Sequence, residues 1–124
     1  MKAAEIAAAW IAHWEQYDLT REFGKREEGF DDFDLPREQP ELCWETILTI
    51  LEQIPADPED GLFGVLAAGM MEDLLTNHGT AFIERVEAQA ARDPKFNLLL
   101  GGVWLTRMSE EVRDRVEACR RQVW

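Results

Sequence analysis

The sequence predicts an all-α domain of about six helices, packed as stacked helical hairpins or an irregular bundle around a central helix at 62–77. Three observations carry this. Apolar residues recur at three- and four-residue spacing in several separate stretches. No segment combines strict alternation with β-branched enrichment, so no sheet is expected. Residues 62–79 are apolar on nearly every side apart from Glu72 and Asp73, which suits a helix covered by neighbours on several faces. At 124 residues the chain reads as one domain, 1–124, large enough to bury a core without a metal or a disulfide.

Residues 2–17 read as an amphipathic helix. Ile6, Trp10, His13, Trp14 and Tyr17 form its stripe, and Ala3, Ala4, Ala7, Ala8 and Ala9 supply helix propensity. His13 in that stripe reads as a core histidine. Residues 18–39 break the pattern with Gly24, Gly29 and Pro36, yet they also carry Phe23, Phe30, Phe33 and Leu35. Between Glu15 and Glu41 ten acids face four bases, so this irregular segment concentrates the chain's negative charge. A connection of this length is usually functional, and its phenylalanines are expected to pin it, or a short helix within it, to the body.

Helix resumes over 40–54 with Pro40 at its first position, where a missing N–H costs nothing. Trp44, Ile47, Leu48, Leu51 and Ile54 make its apolar face, and Pro55 and Pro58 stop it. Asp60 or Gly61 caps the central helix, which is expected to end at Gly79 as a left-handed terminator. A close neighbour follows near 80–92 with Phe82, Ile83, Val86 and Ala90 turned inward. Asp93-Pro94 opens the next helix, whose predicted face is Phe96, Leu99, Leu100, Val103 and Trp104, with Gly101-Gly102 permitting close approach of a neighbour. Ser109 caps a last helix with Val112, Val116, Cys119 and Val123 in one stripe, and Arg120 and Arg121 complement its negative end.

The composition restricts partners. Asp plus Glu number 25 against 13 Lys plus Arg, a net charge of −12. That field repels nucleic acid and anionic membrane and attracts basic surfaces. Cys43 and Cys119 read as buried free thiols. No signal peptide and no run of transmembrane length is expected, so the cytoplasm is the expected compartment.

Several stretches carry a resemblance. They are Trp10-Ile11-Ala12-His13-Trp14, Trp44-Glu45-Thr46-Ile47-Leu48, Leu66-Ala67-Ala68-Gly69, Glu72-Asp73-Leu74-Leu75 and His78-Gly79. The series continues through Phe82 to Glu87, Ala90 and Asp93-Pro94-Lys95-Phe96 to Val103-Trp104. Together they resemble a bacterial domain-of-unknown-function family of small helical proteins. The likeness covers most of 40–105. It departs at 18–39, which is longer and more acidic, and at Met70-Met71, where the family's pattern often has proline. It implies an all-α fold and transfers no activity.

Candidate chemistry is sparse. Glu72 and Asp73, set into the apolar helix, are expected to be structural buried acids that clamp an adjacent helix or a tryptophan indole. Adjacent helical positions point about 100° apart, so the two are not expected to face one place. No cofactor and no metal is expected. Cys43, Cys119, His13 and His78 are too scattered for zinc, and Asp31-Asp32-Phe33-Asp34 lacks the glycine and final glutamate of a calcium loop. Trp10, Trp14, Trp44 and Trp104 are core candidates. Trp124 either folds back or anchors a partner.

The function expected from these residues is a small acidic protein-binding module rather than an enzyme. Its partner is a basic protein surface, such as a toxin or nuclease that it neutralises or inhibits. The partner-binding candidates are Phe30, Asp31, Asp32, Phe33, Asp34 and Trp124. The alternatives are an enzyme using Glu72, Asp73 and His78, and a homo-oligomeric structural protein.

Overall fold

The computed structural model describes residues 2–16 and 34–124. Among them the fold is all-α, without strands. The elements are α1 (Ala3–Glu15), α2 (Asp34–Glu38), α3 (Pro40–Gln53), α4 (Gly61–Leu66), a π-helical turn (Ala67–Met71), α5 (Glu72–Arg92), α6 (Pro94–Leu100) and α7 (Glu110–Cys119).

The expected central helix is central. α4, the π turn and the first part of α5 run from Gly61 to a kink at His78, as expected, and a second helical part continues to Arg92. Asp60 starts the run, its Oδ1 accepting the Leu62 N–H at 2.9 Å. Phe63, Leu66, Met70, Met71, Leu74 and Leu75 are fully buried, and each such side chain contributes about 1.5–3 kcal/mol by leaving water. They are covered from several sides. α1 and α6 meet α4, α3 and α6 meet the π turn, and α2 and α3 pack on α5.

Gly79 is not a terminator. The run kinks at His78 (φ −134°, ψ 23°) and continues as helix to Arg92. The glycine serves close packing instead. A Cβ at Gly79 would stand 2.9 Å from both methyl carbons of Val112 on α7. The break thus falls at the expected Asn77-His78-Gly79, but the glycine there serves the approach of α7 and not a left-handed turn.

α6 is shorter than its periodicity suggests. Asp93 caps it, accepting the N–H groups of Lys95 at 3.0 Å and Phe96 at 3.3 Å. It stops at Leu100, and Gly101 and Gly102 turn the chain beneath Trp124. A Cβ on Gly101 would lie 2.2 Å from the Gln122 carbonyl oxygen, and one on Gly102 would lie 2.4 Å from the Trp124 ring. The close approach expected of these glycines is present. The expected faces beyond them are not. Val103 is buried, but Trp104 is exposed, because the helix that would have turned it inward has ended. Val123 likewise falls past the end of α7 and is exposed. Arg120 does not serve its own helix end: its Nη1 donates to the carbonyls of Leu100 at 3.3 Å and Val103 at 3.1 Å.

Asn97 joins three elements from inside the core. Its Nδ2 donates to Ala90 O at 3.2 Å and Cys119 O at 2.9 Å, and its Oδ1 accepts the Arg121 N–H at 2.9 Å. It thereby meets orphan carbonyls near the ends of α5 and α7, which a buried helix end requires.

Candidate binding surfaces

Glu72 and Asp73 open α5 just after the π turn, with side chains 13% and 16% exposed. One arginine holds both. Arg107 Nη2 lies 3.0 Å from Glu72 Oε2 and 3.1 Å from Asp73 Oδ1. Their divergence along the helix does not keep them apart, since a long guanidinium side chain spans the gap. Glu72 Oε1 also accepts the backbone N–H of Trp104 at 3.0 Å. The group clamped is thus the α6–α7 connection and a tryptophan backbone, rather than an indole. The guanidinium of Arg107 is held above its ordinary pKa by these bonds, first by Glu72 and then by Asp73.

His78 is engaged elsewhere. Its Nε2 sits 2.8 Å from the carbonyl oxygen of Arg37 on α2. A carbonyl only accepts, so Nε2 must carry the hydrogen in this arrangement. The bond ties the kink of α5 to α2 and turns the imidazole away from base chemistry at that nitrogen.

α2 is a short helix lying where the irregular segment was expected to dock. Pro36 is buried and Leu35 half-buried, while Asp34, Arg37 and Glu38 face solvent. α3 continues the acidic theme with exposed Glu41 and Glu45. Glu41 pairs with Arg85 through bonds of 2.6 and 2.8 Å. Phe30, Asp31, Asp32 and Phe33 lie outside the described residues, so of the partner-binding candidates Asp34 and Trp124 are placed.

Trp124 folds back rather than standing free. Its Nε1 donates to Leu98 O at 2.7 Å and its backbone N–H to Gly101 O at 3.0 Å. Its ring meets Phe63 edge-on at 5.4 Å. The exposed tryptophan of this region is Trp104 instead.

Comparison with known proteins adds the lineage. A family model described as a family of unknown function, DUF6869, matches residues 26–123. The chain belongs to the DUF6869 family. Neither a curated protein nor a solved structure matches it. The family match extends the likeness read at 40–105 in both directions, and it takes in α2, the Trp104 connection and α7.

Within this DUF6869 chain, sequence reasoning missed Arg107 and Asn97. Asn97 had a usable signal, an amide inside the apolar run Phe96 to Leu100. Arg107 had none, since a lone arginine between Thr106 and Met108 looks like any solvated base. Among the described residues, no group of three or more His, Cys, Asp or Glu could hold a metal, and no helix is long and apolar enough to cross a membrane.

Proposed function

We propose that this DUF6869 chain is a small acidic protein-binding module of the bacterial cytoplasm. Its partner is a basic protein surface, such as that of a toxin or nuclease it neutralises or inhibits. One observation carries the reading: acids are stacked outward on two successive, well-anchored helices. Asp34 and Glu38 share one face of α2, and Glu41 and Glu45 share one face of α3. Like charges four residues apart on a helix cost stability. The chain accepts that cost on α2, which Pro36 and the His78 bond hold in place, whereas on α3 Arg85 pairs with Glu41 and leaves Glu45 as the outward acid. With a net charge of −12, such an edge favours fast, salt-sensitive association with cations and disfavours nucleic acid and anionic membrane.

The enzyme alternative draws less support. The hydrogen bond of His78 goes to α2 and those of Glu72 and Asp73 go to Arg107 and Trp104.

The test is capture of partners on immobilised protein at low and high salt. Asp31, Asp32, Asp34 and Glu38 changed together to lysine should abolish capture of basic proteins, and salt should weaken the wild-type signal. An unchanged partner set after charge reversal would sink the proposal.

A further inference from the structure

Two large apolar side chains stand out in water among the described residues, Trp104 at 71% and Val123 at 67% exposure. They are far apart in sequence yet line the same groove, of about 440 Å³. That volume is in the range of small-molecule sites. Trp124 and the turn at Gly101-Gly102 complete its apolar wall, and Arg113, Glu117 and Arg120 from the α7 side supply its charge.

Bonds within the chain hold the backbone of the groove. Glu72 holds the Trp104 backbone N–H, Trp124 is bonded to Leu98 and Gly101, and Arg120 grips the carbonyls of Leu100 and Val103. A preformed wall spares a ligand the ordering cost. Two indoles with an aliphatic neighbour offer flat and branched apolar contact.

Among the side chains that line the groove, Arg113 and Arg120 are basic and Glu117 acidic, and Arg120 is already bonded to the Leu100 and Val103 carbonyls. Arg113 is half-buried, and among the described residues its side chain makes no ion pair or hydrogen bond, even with Glu117 one turn along α7. A guanidinium is a ready anion receptor, through paired N–H donors in a fixed fork.

We propose that this groove binds a small amphipathic anion. Its apolar body sits between Trp104 and Val123, and its acidic group lies on Arg113. The proposal is independent of the acidic edge on α2 and α3, and none of the edge's acids lines the groove.

Two fluorescent probes test it. Anilinonaphthalene sulfonate is an aromatic anion, and N-phenylnaphthylamine is its neutral counterpart. The wild-type chain should bind the anion at one site and the neutral probe more weakly. Arg113→Ala should weaken the anion about tenfold, the loss of one charge-assisted contact, and leave the neutral probe unchanged. Arg113→Lys should recover part of that loss. Trp104→Ala should weaken both probes. Val123→Glu alters an exposed position with little risk to folding, and it should repel the anion, so the reading stands even where Arg113→Ala unfolds. Equal affinity for the two probes, or anion binding that survives both Arg113→Ala and Val123→Glu, overturns the proposal. So does a wild-type dimer in light scattering that Trp104→Ala dissolves, since the groove would then be an interface between copies.

Discussion

Asn97 Nδ2 donates to the carbonyl oxygen of Cys119 at 2.9 Å, joining residues on α6 and α7 whose side chains belong to different parts of the sequence pattern. Asn97 is 4% exposed, so water cannot replace what it provides. Its amide satisfies two carbonyls and one N–H. Asn97→Ala should therefore cost about 3 kcal/mol, roughly one per bond. Asn97→Asp should cost at least as much, because a carboxylate keeps the acceptor for Arg121 but loses both donors and buries a charge. Urea unfolding of the two variants checks this. A loss below about 1 kcal/mol for either would mean that the helix ends find other partners.

Glu72 supports the α6–α7 connection by a backbone bond and an ion pair, whereas Asp73 contributes the ion pair alone. Arg107 is 56% exposed, so the ion-pair part is screened and is worth less than about 1 kcal/mol. Glu72→Ala is thus expected to cost about 1 kcal/mol, the net worth of the Trp104 hydrogen bond, and Asp73→Ala distinctly less. Salt should narrow the Asp73 effect and leave most of the Glu72 effect. Denaturation midpoints at low and high ionic strength separate the two. Equal salt sensitivity would argue that the Trp104 bond contributes nothing.

Much of the fold was legible because residue chemistry acts locally. Asp60, Asp93 and Ser109 are caps wherever a helix follows, and each accepts the N–H groups expected of it. The burial of Phe63, Leu66, Met70, Met71, Leu74 and Leu75 was legible because apolar residues crowd that stretch. What was lost depended on distant contacts. Val103 and Trp104 continue the periodicity of Phe96 and Leu100, and nothing local says that the chain turns at Gly101 to pass under Trp124. Asn77-His78-Gly79 has the chemistry of a helix end, yet Val112 makes it a point of close packing. The groove stayed hidden for the same reason, since Trp104 and Val123 each looked like a member of a buried stripe. Of the acidic segment, only the part carried by α2 is placed, and nothing local to His78 announces that it anchors α2 through the Arg37 carbonyl, 41 residues away.

The pair Arg115–Glu87 ties α7 to α5, with Arg115 Nε 3.1 Å from Glu87 Oε2 and Nη2 bonded to Oε1. This bonding holds the Glu87 carboxyl below its ordinary pKa, against a smaller opposing effect of burial. A depressed folded-state pKa gives stability that is complete above the unfolded value, about 4.3, and is lost as pH falls through the folded one. Both side chains are about one-third exposed, so the contribution stays below about 1 kcal/mol. Arg115→Gln should therefore be less stable than wild type at neutral pH, and the gap should narrow as pH falls below the unfolded value and through the depressed folded one. Chemical denaturation across that range measures it. A gap that persists in acid would assign the loss to packing of the arginine stem.

Gly79 and Val112 make the sharpest test of why α5 carries a glycine. A Cβ at position 79 would lie 2.9 Å from both Val112 methyls, closer than carbon atoms pack, so Gly79→Ala must push α5 and α7 apart or force Val112 off its rotamer. The expected cost is about 1–3 kcal/mol. Val112 is buried, and Val112→Ala alone should also destabilise by leaving space. In the Val112→Ala background the obstructing methyls are gone. There Gly79→Ala should become neutral, or stabilise by up to about 1 kcal/mol through better helix propensity. The double-mutant cycle thus predicts a favourable coupling between two substitutions that are each harmful alone. Were Gly79→Ala to cost the same in both backgrounds, the glycine would be needed by the His78 kink itself and not by the approach of α7.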